Sequence, residues 1–385
     1  VRLKTKNQIN HQRPRSQLNL LLLVILAVLL IAASIVLIIT LPHAQTPVAT
    51  ESSVTVSAQL TGFKVEPAEA QQYYPLAGSL IRVSKDRITG LNLNGGESFA
   101  QEVSLNSPLV VQKAEHMLVV DREGLNYALV STQGIITSGS AANVIRGAAL
   151  AGDGHFALIT EPSGSTGVVS IYTIDGQWLF DCLFPDSGFV LGVAFTSDSL
   201  HFDVSLLNTD GSAIYPLLKR FTIAGEQTGQ RELSEPAIMP LIVYDAAQEP
   251  VLCGSSELIA VSYKKDEPLY NYTFPLINTV TAAEKGLVVL NSDISGGRQR
   301  LTFCPPGGEA RYTLEIGETA ASIEIRGSMA LIANGTRIVL INLNEGKIVS
   351  EQNLAVEIVR AAFINEKTIT AVTRSGVRQL AIPEK

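Results

Sequence analysis

The sequence predicts an all-β protein: a β-propeller of four-stranded blades, eight in preference to seven, preceded by one transmembrane helix. Three features of the 385 residues lead there. From about Val54 onward no helical period of useful length occurs. Short runs of Val, Ile, Leu, Tyr and Thr alternate instead with Gly, Asp, Asn and Ser, the pattern of strands and tight turns. The chain also writes nearly the same ten residues twice, "ITGLNLNGGE" from Ile88 and "IVLINLNEGK" from Ile338, as two beats of one repeat would. Finally, the stretch from Leu20 to Ile39 is apolar apart from Ser34.

The first forty residues set the expected topology. Residues 1–17 form a basic tail with Arg2, Lys4, Lys6, Arg13 and Arg15. The span is placed at 18–41, because at about 1.5 Å per residue its apolar run crosses a hydrocarbon core of roughly 30 Å. No Lys or Arg follows until Lys64, so the positive-inside rule puts the N-terminus in the cytoplasm and everything after the span outside it. A cleaved signal peptide is the rival reading. The apolar run exceeds the usual length of such a peptide's core, and "LPHAQTPVA" is a poor cleavage site. Residues 42–53, rich in Pro, Ser and Thr, read as a linker to a domain at 54–385.

Within that domain a hairpin of two apolar strands around a polar turn recurs eight times. Its turns fall near Asp86, Gly124, Gly164, Gly211, Ser255, Gly296, Gly335 and Gly376. The mean spacing is about 41 residues, in the range of propeller blades. Between hairpins lie a polar segment such as "ESFAQEVSL", read as an outer strand, and a more apolar one such as "PLVVQ", "VIRGAAL" or "VLGVAF". The apolar segment is expected to be the inner strand, buried between neighbouring blades. The last hairpin lacks return strands, and residues 54–78 can supply them by pairing the two ends of the chain.

The basic tail, the single span and the blades with "NLNGG" and "TIDGQ" turns resemble an uncharacterised family of single-pass propellers from Gram-positive bacteria, the domain of unknown function DUF5711. More distantly, the blades are similar to pyrroloquinoline-quinone-like and WD40-like propellers. The resemblance implies a fold and a bacterial cell-surface location, and no activity.

Composition narrows the function classes. A net charge of −7 and the absence of a basic stripe argue against nucleic acid as a partner. Cys182, Cys253 and Cys304 are odd in number and sit in apolar contexts, as buried free thiols do. His116, His155 and His201 each immediately precede a hairpin's first strand, one equivalent position in three consecutive blades. Equivalent positions on packed sheets lie about 10 Å or more apart, too far to share a zinc ion, so no metal is expected. Asp121, Asp153, Asp175, Asp198 and Asp210 fit hairpin-turn chemistry better than a calcium loop. No nucleophile elbow, P-loop, dinucleotide fingerprint or metalloprotease motif is present. Trp178 is the sole tryptophan and no two cysteines are adjacent, which departs from quinone-dependent dehydrogenases of this shape. No cofactor and no catalytic residue are therefore expected.

Two sets of residues remain as candidates. Arg146, Arg326 and Arg360 fall in predicted inner strands, where a guanidinium could enter the central channel and bind an anion or pair with an acid such as Glu324 or Glu357. Tyr73, Tyr74, Tyr270 and Tyr272 read as exposed aromatic anchors for a protein partner. The expected function is a membrane-anchored extracytoplasmic scaffold that docks an envelope protein or polymer. The alternative is a receptor or enzyme for a small or anionic ligand at the mouth of the channel.

Overall fold

The computed structural model describes residues 59–209 and 213–382, which form eight four-stranded antiparallel sheets arranged as the blades of a propeller. The inner strands, numbered by blade from 1 to 8, are Tyr73–Leu76, Pro108–Lys113, Ile145–Leu150, Phe189–Phe195, Leu241–Tyr244, Leu276–Ala283, Ala320–Arg326 and Ile358–Phe363. Neighbouring inner strands face one another around the ring. Eight blades replace the seven kept as an alternative.

The ring closes through its two ends. Blade 8 takes three strands from the C-terminal region, and its outermost strand is Gln59–Lys64, paired antiparallel with Gly376–Ala381. At the contact the backbones approach so closely that a Cβ on Gly62 would lie 2.0 Å from the carbonyl oxygen of Val377. Only glycine fits there.

The repeated ten residues of the sequence are the turn between third and fourth strands in blades 1 and 7. In blade 1 the Asn92 side-chain oxygen accepts the N–H groups of Asn94 and Gly96, each at 2.9 Å. In blade 7 Asn342 accepts those of Asn344 and Glu345 at 3.0 and 3.3 Å. An Asn side chain that mimics a backbone turn is the reason this residue recurs. Each turn also carries a glycine in the left-handed region, Gly95 with φ of 88° and, one place further from its asparagine, Gly346 with φ of 65°. Thr173 and Thr222 do the same work in blades 3 and 4, accepting the N–H groups of Gln177 and Glu226 at 3.1 Å.

Burial differs from the expected pattern. The second and third strands, not the inner one, are the most withdrawn: Val168–Tyr172 and Gly286–Ser292 are buried throughout. Pro108–Lys113 and Ala320–Arg326 are only half-buried or exposed. The inner strand has one edge without a ladder partner and faces the channel, so water reaches it. The apolar core is divided among eight clusters, one at each seam between blades. That between blades 3 and 4, for example, joins Val169, Ile171 and Phe184 to Phe202, Leu217 and Phe221.

The seam between blades 4 and 5 also carries a buried polar lock. Asp203 is fully buried and receives both arms of Arg220 at 2.8 and 2.7 Å, the Tyr244 hydroxyl at 2.9 Å and the Tyr263 hydroxyl at 2.7 Å. The guanidinium of Arg220 lies 4.7 Å from the centre of the Tyr263 ring. Burial, and then the Asp203 charge, push both tyrosine hydroxyls well above their ordinary pKa, so the phenols stay protonated and donate.

The expected transmembrane helix requires correction. No helix among the described residues is long and apolar enough to cross a membrane, and their helical element is the single turn Ala70–Gln72. From Gln59 onward the described chain is built of strands paired into sheet ladders and joined by turns. The segments expected as tail, span and linker, 1–17, 18–41 and 42–53, lie outside the described residues. Single-pass placement, a cytoplasmic N-terminus and the membrane as a partner are therefore not retained, nor is an anchored scaffold as the function.

Candidate functional site

The channel has a polar mouth on the side where inner strands turn into second strands, and there the structure opens a cavity of about 720 Å³ lined by blades 6, 7, 8, 1 and 2. Its charged lining groups are Lys113, Glu115, Glu324, Arg326 and Arg360. Three cations against two carboxylates leave the mouth with an excess of one positive charge.

Blade 7 presents its polar residues at alternate positions, as a strand must, so Ser322, Glu324 and Arg326 share one face. All three bridge to the inner strand of blade 8. The Ser322 hydroxyl accepts the N–H of Ala361 at 3.0 Å, Glu324 accepts that of Phe363 at 2.9 Å, and Arg326 donates to the Phe363 carbonyl at 2.8 Å. These side chains supply the ladder partners that the inner edge of blade 8 lacks. Glu324 also lies 3.7 Å from Arg326. Burial raises the pKa of Glu324, while the Phe363 N–H and Arg326 oppose the rise.

Arg360 is placed differently. It comes from the inner strand of blade 8 and reaches across to blade 1, where its Nη1 donates to the carbonyls of Gln71 at 2.9 Å and Tyr73 at 3.4 Å. The guanidinium stacks 4.0 Å from the centre of the Tyr74 ring. Among the described residues no carboxylate lies within ion-pair distance of it. Burial pulls its pKa below the ordinary arginine value, and Tyr74 only partly offsets this. A half-buried cation without a counter-ion is the least satisfied charge at the mouth.

Arg146 does not line this cavity; it forms a salt bridge at 2.6 Å with Glu161, both side chains about half exposed. Of the four tyrosines, Tyr73 and Tyr272 are buried rather than exposed, and Tyr74 and Tyr270 are half-buried. Tyr270 donates to Asp245 at 2.7 Å, and Tyr272 to the carbonyls of Pro305 and, at 3.0 Å, of Glu309. Those two hydroxyls serve blade packing, whereas the Tyr74 ring supports Arg360.

The remaining candidates are spent on structure. His116 and His201 open equivalent strands, and His155 immediately precedes one and contacts Asp153 of its own turn at 2.9 Å. No group of three or more metal-ligating side chains occurs among the described residues. Asp153, Asp175 and Asp198 accept hydrogen bonds inside their turns, and buried Asp121 holds the N–H groups of Asn106 and Ser107 at 2.8 Å. Asp210 lies outside the described residues. The three thiols are free and buried, and burial pushes each up to about 12, so they are not nucleophiles.

Sequence reasoning missed Thr370, on the second strand of blade 8, which forms part of the cavity wall. It is 1% exposed and its hydroxyl has no hydrogen-bond partner. Nothing in "TITAVT" sets this threonine apart, because the missing partner is a property of the packed seam.

Fold and site together define a closed eight-bladed propeller with a charged cavity at one mouth of its channel. The chain belongs to the family of unknown function DUF5711, which matches residues 50–382. Among curated proteins none matches. Three solved structures share the fold at low identity. BamB from Moraxella catarrhalis is 11% identical, with a TM-score of 0.52, over 85% of this chain and 100% of its own. The computationally designed Ika8 protein is 10% identical, with a TM-score of 0.56, over 86% and 100%. Apo AztD from Citrobacter koseri is 11% identical, with a TM-score of 0.52, over 74% and 86%. At these identities the likeness shows the fold alone.

Proposed function

We propose that the propeller is a receptor for a small anionic ligand, held at the channel mouth between blades 7, 8 and 1. The observation that carries this reading is Arg360: a guanidinium drawn out of water, backed by an aromatic ring, opening on a cavity of about 720 Å³ and lacking a carboxylate partner among the described residues. Among the described residues only its Nη1 is engaged, so Nε and Nη2 remain as a fork for an anion's oxygens. The cavity volume is that of a small-molecule site. Arg326 and Lys113 add positive potential at the rim.

The test is a thermal-shift series on the full chain with small carboxylates, sulfate and phosphate. A ligand present at a hundredfold excess over its Kd stabilises the fold by about 2.7 kcal/mol, a readily measured rise in Tm. The rise is expected in the parent protein and absent from Arg360→Gln, with Arg146→Gln as the control that keeps it. If no anion shifts the parent protein, or if Arg360→Gln shifts as the parent does, the reading fails.

A further inference from the structure

The antiparallel register of blade 8 sets Arg360 opposite Val372 and Ala362 opposite Thr370. Residues 360, 362 and 370 therefore share one sheet face, with 360 and 370 as diagonal neighbours whose side chains start about 7 Å apart. This face meets blade 1, as the packing of Val372 with Tyr73 and Leu80 shows. Between the two polar residues stands Ala362, the smallest side chain that could fill the position, and the surrounding wall includes Leu76 and Ile364. One end of this strip is a cation without a counter-ion among the described residues. The other is a hydroxyl, 1% exposed, without a partner. Leaving such a hydroxyl unpaired costs about 1–3 kcal/mol, so a group that reaches it gains more than an exposed hydrogen bond would give.

The charge around the strip limits what can occupy it. Glu115 and Glu324 line the same mouth, and the excess over them is a single positive charge. A dianion such as phosphate would meet both carboxylates with too few donors, whereas one carboxylate matches one guanidinium fork. Resting on the receptor reading above, we infer that the ligand is a monocarboxylate bearing an uncharged hydrogen-bonding group at the far end of a short apolar chain, the carboxylate on Arg360 and the far group on Thr370. The apolar middle of the ligand lies along Ala362.

Binding of butyrate, 4-hydroxybutyrate and inorganic phosphate to the full chain, followed by calorimetry, tests this. The expected order is 4-hydroxybutyrate about fivefold tighter than butyrate, as one hydrogen bond gives, with phosphate weaker than both. Thr370→Val keeps the side-chain shape and removes only the unpaired hydroxyl, so it should fold with a Tm no lower than the parent. In that variant 4-hydroxybutyrate is expected to fall to the affinity of butyrate, while butyrate itself is unchanged. Equal binding of the two carboxylates to the parent, or an unaltered preference in Thr370→Val, overturns the inference and leaves the receptor reading standing. Phosphate binding tighter than either carboxylate, and lost in Arg360→Gln, does the same. Absence of binding by all three probes removes both.

Discussion

Asp203 has no water to fall back on, so its charge is balanced wholly by Arg220 and by two phenols. Removing one partner of a buried pair leaves the other charge uncompensated, at about 3–5 kcal/mol. Asp203→Ala is accordingly expected to lower stability by that amount in denaturant titration, while Tyr263→Phe, which deletes one hydrogen bond, costs about 1 kcal/mol. Glu324 makes the opposite kind of prediction. Its folded pKa is raised, so across the window from the ordinary value of 4.5 upward the native state holds a proton that the unfolded chain has released. Stability contributed by this group therefore falls as pH rises through that window. Glu324→Gln, which keeps an acceptor for Phe363, is expected to flatten the fall, read as Tm against pH for the two proteins. Residue identity alone revealed part of this chemistry. Arginines in apolar strands stand out in a sequence, and Arg360 is a candidate on that ground; that Arg146 has a carboxylate at ion-pair distance while Arg360, among the described residues, has none is a tertiary fact. Tyr73 and Tyr272 read as exposed because "QQYYP" and "EPLYNY" are polar in sequence, whereas their rings turn into the seams.

A blade is specified by its turns more clearly than by its strands. Asn92 and Asn342, like Thr173 and Thr222, close the turn between third and fourth strands by accepting backbone N–H groups two to four residues further on, so side-chain chemistry at a recurring place made the repeat legible. The identity of the most buried strand was less legible. Apolar composition marked the inner strands, yet exposure to the channel is set by ring closure, which composition does not encode. The closing strand was foreseen within residues 54–78 and falls at Gln59–Lys64. Its tightest point is Gly62, and Gly62→Ala would drive a methyl group into the backbone at Val377. Overpacking of that kind costs about 1–3 kcal/mol. The expected result is a lower Tm and faster hydrogen exchange at the N–H groups of blade 8, with the blade 4–5 seam unchanged.

At the scale of the whole molecule, the eight seam clusters distribute the core around a ring, and each blade is held by two neighbours instead of by one centre. The membrane span expected from the sequence rested on residues 20–39, which the described structure does not include, and the propeller offers no helix of its own to replace it. The number of blades was legible because eight hairpins repeat at an even spacing; the site was less so, because it forms where blades 8 and 1, the last and the first, come together. Pairing Gln59–Lys64 with Gly376–Ala381 also has a consequence in time. During synthesis the strand at the start must wait for roughly three hundred further residues, which at about 5–20 residues per second takes on the order of 15 to 60 seconds. Throughout that interval blade 1 has no blade 8 beside it, and the wall that holds Arg360 against Tyr74 does not exist. The mouth between blades 8 and 1 is therefore assembled only once the strands of blade 8 have been made, so a nascent or C-terminally clipped chain lacks the cavity wall that the finished ring has.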